Sequence, residues 1–138
     1  MQSDKTEWVD GEWNDEPDEL HWKTEAGLDG LICRNFGGSL CGYVGVPKDH
    51  IYFGTEYQEV SYDITCHGGL TFSGDLNGFT LLSDYDDTLW WLGFDCAHGQ
   101  DVCPKYYKDA FDMSFEEATY KNIEYVKKEV ENLAMLLK

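Results

Sequence analysis

Basic residues are scarce in this chain: ten Lys and Arg stand against 27 Asp and Glu, giving a formal charge of −17. Such a field repels DNA, RNA and anionic membrane surfaces, so direct nucleic-acid binding and membrane association are excluded as expectations. Long apolar runs are missing too; none approaches the roughly 20 residues that a membrane-spanning helix needs. The chain has no Gly-x-Gly-x-x-Gly, no phosphate-binding P-loop and no His-Glu-x-x-His. Its five cysteines (Cys33, Cys41, Cys66, Cys96 and Cys103) are odd in number and form no Cys-x2-Cys knuckle. The first residues are acidic and lack the charged start and apolar stretch of a secretory signal. A cytoplasmic protein with free thiols is the resulting expectation.

What is present points to one globular domain. At 138 residues, with 42% apolar and 15% aromatic side chains, the chain can bury a core of its own. Residues 1–19 read as a separate acidic segment: "SDKTEWVDGEWNDEPDEL" holds eight carboxylates and one Lys. Like charges favour a loosely held chain there. Trp8, Val9 and Trp13 are apolar anchors that would pin the segment to the body or, as the alternative, to a partner.

Residues 20–138 then form the single domain. "LICRNF" and "LCGYVGV" are strand-like runs around Gly37-Gly38-Ser39, which predicts a hairpin. Pro47-Lys48-Asp49 breaks the second run. "VSYDITCHGGLTFSG" alternates Val60, Tyr62, Ile64 and Cys66 and reads as a strand bent at Gly68-Gly69. "FTLL" and "TLWWLGF" add strands on either side of a "SDYDD" loop. A helix is predicted from a Ser114/Glu117 capping box, with Phe115, Ala118, Ile123, Val126, Val130, Leu133, Ala134 and Leu137 on one stripe and Glu117–Lys121 and Glu124–Lys128 pairs opposite. The predicted class is α+β: an antiparallel or mixed sheet packed against one long C-terminal helix.

Two stretches carry chemistry. In "CHGGLTFSG", His67 precedes Gly68 and Gly69, which uncover backbone amides, and Thr71 and Ser73 add hydroxyls. In "GFDCAHGQD", an apolar strand delivers Asp95, His98 and Asp101 to an accessible loop. Each has a structural alternative: a bent strand with a hydrogen-bonded His67, and an Asx-type turn in which Asp95 and Asp101 accept backbone N–H groups. The functional reading requires the two stretches to meet. His67, Asp95, His98 and Asp101 would then form a site for a polar small molecule, a nucleotide being one candidate, with Gly68, Gly69, Thr71 and Ser73 assisting and Trp90 or Trp91 as a stacking wall.

A divalent metal such as zinc is the cofactor this set suggests, with His67, Asp95 and His98 as ligands. A His–Asp general base or a metal-assisted hydrolase is an alternative from the same residues. Thiolate zinc through Cys96, His98 and Cys103, and a Cys66 or Cys96 nucleophile, are weaker options. The loop from His50 to Glu59 reads as a connection, with a lid as the alternative. A further alternative is an inhibitor whose acidic leader binds a basic protein surface.

"HWKTEAGLDGLICRN", "CGYVGVPKDH", "HGGLTFSG", "WWLGFDCAHGQD" and "YVKKEVENLAMLL" resemble a group of small, uncharacterised bacteriophage and bacterial proteins, over most of the chain from Leu20 onward. The resemblance implies a phage or mobile-element setting inside a host cell. By analogy with small acidic phage proteins, it implies action by binding, either blocking a host enzyme or sequestering a host signalling molecule. It transfers no catalytic role.

Overall fold

The sheet is built around the hairpin at Gly37-Gly38. Strand β2 (Asp29–Arg34) and strand β3 (Leu40–Val46) pair antiparallel, from Arg34 opposite Leu40 to Asp29 opposite Gly45. Gly38 closes the turn at φ 91°, a left-handed conformation in which a side chain is strained. In this computed structural model the described residues are 5–6, 8–76, 88–106 and 118–138.

Strand β1 (Glu19–Lys23) flanks β2, and the short strand β4 (Phe72–Gly74) lies beyond strand β5 (Trp90–Asp95), which pairs with β3. The order is β1-β2-β3-β5-β4, with every pair antiparallel. Helix α1 (Ile123–Leu137) covers one face. The architecture is α+β, as the patterning predicts.

Alternation sorts the side chains. Ile32, Leu40, Val44, Leu92 and Phe94 face the helix stripe of Val126, Val130, Leu133, Ala134 and Leu137. Leu31, Cys33, Cys41, Tyr43 and Trp91 fill a second cluster with Leu76. Each fully buried Val, Leu or Phe contributes about 1.5–3 kcal/mol. Among the described residues no helix is long and apolar enough to cross a membrane.

Two readings of the sequence need correction. Residues 60–66 are not a strand: Val60, Ile64 and Cys66 reach the core, but Tyr62 is 90% exposed. The backbone from Pro47 to Gly69 is instead a series of tight turns. Successive bonds run from His50 N–H to Pro47, Thr55 N–H to Tyr52, Ile64 N–H to Ser61 and Gly69 N–H to Cys66. The helix also starts later than its apolar stripe suggests. Ala118–Lys121 are not helical, because Thr119 bridges Asp101 as a parallel partner. Its amide donates to the Gln100 carbonyl and its carbonyl accepts from Val102 N–H. Asn122 is the cap, its Oδ1 accepting from Tyr125 N–H at 2.9 Å. Ser114, Phe115 and Glu117 lie outside the described residues, as do "FTLL" and "SDYDD".

The described part of the acidic leader is docked. Trp13 is 5% exposed within a short turn of helix (Glu12–Asp15), edge-on to Tyr120 at 5.0 Å. Arg34, its side chain fully buried, donates to Asp18 (2.7 Å), Glu16 (3.2 Å), the Pro17 and Gly38 carbonyls and the Tyr120 hydroxyl. A buried guanidinium is tolerated because each of its nitrogens finds an acceptor.

Candidate metal centre

The site forms where β5 ends. After Asp95 the chain turns tightly. Ala97 N–H donates to Asp95 Oδ1 at 3.1 Å, and His98 N–H donates to Asp101 Oδ2 at 3.0 Å. Asp95 thereby makes an Asx-type turn, and Asp101 closes the loop by reaching back three residues to the His98 amide. That turn also aims Asp101 inward, where its side chain is 1% exposed.

His67 arrives from the turn-rich segment. Its Nε2 lies 3.0 and 2.9 Å from the two Asp101 oxygens, and its Nδ1 lies 2.8 Å from the Tyr125 hydroxyl. The His98 Nδ1 is 3.3 Å from Asp101 Oδ2 and 3.6 Å from Asp95 Oδ1. The two imidazoles stand edge to face, with centroids 5.6 Å apart. The separation is set by Gly68: with φ +69°, an added Cβ there would come 2.2 Å from His98 Cε1. Only glycine leaves room for the His98 ring at this turn.

Lys121 completes the electrostatics, with its ammonium 3.0 Å from Asp101 Oδ1. It also bonds to the carbonyls of Gln100 and Thr119. Burial alone would push the Asp101 carboxyl up. Hydrogen bonds from the His67 ring, the His98 amide and Lys121 outweigh that effect and hold the group below its ordinary value. Asp101 is therefore a fixed anion between two imidazoles.

Among the described residues, His67, His98 and Asp101 bring three ligand atoms within 4.8 Å of one another. Asp95 stands outside this trio, beside His98, and accepts a long bond (3.4 Å) from the Thr71 hydroxyl. Gly69 borders open space. Ser73 points elsewhere, bonding Glu56 and accepting from Tyr57 N–H. Neither tryptophan forms a wall for the site. Trp91 is fully buried among Leu31, Cys33 and Tyr43, and Trp90 donates to the Thr55 carbonyl. The ring beside the cluster is Tyr125, 5.4 Å from His67 and perpendicular to it. Tyr125 and Lys121 belong to the helix and its approach. In the sequence they read as outward-facing, which hid them.

Thiol chemistry does not fit the trio. Cys103 accepts from the Ser39 hydroxyl at the hairpin. Burial, with Glu129 nearby, pushes the Cys66 thiol up to about 12, and burial also raises Cys96. Neutral thiols are poor nucleophiles and poor ligands. His50 anchors the loop that follows it to the last helical turn through the Leu137 carbonyl, so that loop is a connection rather than a lid. The groove of about 530 Å³ lined by Trp22, Glu25, Glu124, Lys127, Lys128 and Glu131 includes no member of the trio. Comparisons of the chain with family models, curated proteins and solved structures find no match in any of the three.

Proposed function

We propose that the protein binds one divalent transition-metal ion, with zinc the best match, through His67 Nε2, His98 Nδ1 and Asp101 Oδ2. The observation that carries this reading is the convergence of two imidazoles, from separate segments, on one buried carboxylate. A tetrahedral ion about 2.0–2.1 Å from each ligand spaces them roughly 3.3–3.5 Å apart. The existing spacings from Asp101 Oδ2, 2.9 Å to His67 Nε2 and 3.3 Å to His98 Nδ1, lie close to this range, and the two imidazole nitrogens lie within 4.8 Å of each other. Imidazole and carboxylate are ligands that zinc accepts, and a fourth position would remain for water or for Asp95.

The charge of −17 supports a cation over an anionic nucleotide, since the field of the molecule concentrates cations at its surface. The buried Trp13 weighs against the leader as a partner-binding surface, because its anchor is already spent on the chain's own core. The resemblance to small phage and bacterial proteins supports a phage or mobile-element setting for this binding. Calorimetric titration with zinc chloride tests the proposal. Wild type takes up one equivalent, and His67→Ala, its fold checked by circular dichroism, loses most of the affinity. A wild-type protein that takes up no zinc would refute it.

A further inference from the structure

This inference rests on the metal reading above and concerns what holds His67 in place. His67 is gripped at both nitrogens, Nε2 by Asp101 and Nδ1 by the Tyr125 hydroxyl at 2.8 Å. A carboxylate only accepts, so in the metal-free protein Nε2 carries a hydrogen and donates it to Asp101. In the neutral ring, the form that can take up a metal, Nδ1 is then the acceptor and the Tyr125 O–H donates to it.

A metal needs the Nε2 lone pair. Once Nε2 is a ligand, the remaining ring hydrogen sits on Nδ1, and Nδ1–H can only donate. We infer that Tyr125 is the positioning residue of this metal centre, and that metal binding reverses the direction of the His67–Tyr125 hydrogen bond. A hydroxyl suits the task because it can serve as donor or acceptor without moving its oxygen; a carboxylate or an ammonium could serve in only one state. Ligating histidines generally donate their second ring hydrogen to such a partner, which fixes tautomer and orientation.

The placement of Tyr125 supports this assignment. Its backbone is fixed in the first turn of α1 by the Asn122 cap. Its ring stands at 90° to the imidazole. With 38% of the residue exposed, its hydroxyl hydrogen can rotate toward solvent when Nδ1–H takes over as donor.

The test is multiple-bond 1H–15N NMR of the His67 ring in the full chain, without and with one equivalent of zinc, alongside zinc titration of Tyr125→Phe. The expected result is an Nε2–H tautomer that becomes Nδ1–H on loading. Tyr125→Phe should keep its circular dichroism and lose roughly 10- to 100-fold in zinc affinity. The inference is overturned if wild type binds zinc while His67 stays Nε2–H, or if Tyr125→Phe binds as tightly as wild type. A wild type that takes no zinc overturns the metal reading itself and this inference with it, so the two failures are told apart.

Discussion

Gly68 ties the backbone to the site. Its left-handed φ costs any other residue about 1–2 kcal/mol, and its missing Cβ is the space that the His98 ring occupies. Gly69 has a similar φ of +84° but faces open space. The two therefore separate under substitution. Gly69→Ala should lower stability in urea denaturation by about that amount, whereas Gly68→Ala should lower it further and also weaken zinc binding, by displacing His98. At this scale the sequence was partly legible. Histidines beside glycines, and an Asp two residues beyond a Gly, marked the right neighbourhood. Ser73 was misplaced because β4 is only three residues long and turns that hydroxyl toward Glu56. Lys121 and Tyr125 were not legible, because their partners Asp101 and His67 lie 20 and 58 positions away along the chain.

Among the elements, β2, β3, β5 and the helix stripe follow from local pattern, β1 was not marked by it, and the errors lie where tertiary bonds override it. The alternation at residues 60–66 suits a strand, yet Ser61 opens a turn whose hydroxyl accepts from Asp63 N–H. The helix could in principle begin upstream, but Thr119 is committed to pairing with the Gln100–Val102 segment. Asn122 then becomes the cap, and the first turn of α1 is also what positions Tyr125. Asn122→Ala should cost about 1 kcal/mol in denaturant unfolding. By fraying that turn it should also weaken zinc binding more than a comparable loss of stability at the far end of the helix, where Leu136 is exposed.

For the molecule as a whole, the fold is what brings the proposed ligands together. His67 lies on the turn-rich segment, His98 and Asp101 follow β5, and Lys121 and Tyr125 come with the helix. No short stretch contains the set, which is why the sequence could name candidates but not the trio. The overall negative charge favours a cation there, and the docking of the leader through Trp13 and Arg34 leaves that segment part of the body. The same chain carries five cysteines, free in the folded protein, and a sulfur ligand is what would distinguish zinc bound elsewhere from zinc at the trio. X-ray absorption at the zinc edge of the loaded, folded protein separates the two outcomes. The account predicts two imidazoles and oxygen at about 2.0–2.2 Å with no sulfur; a sulfur shell near 2.3 Å would contradict it.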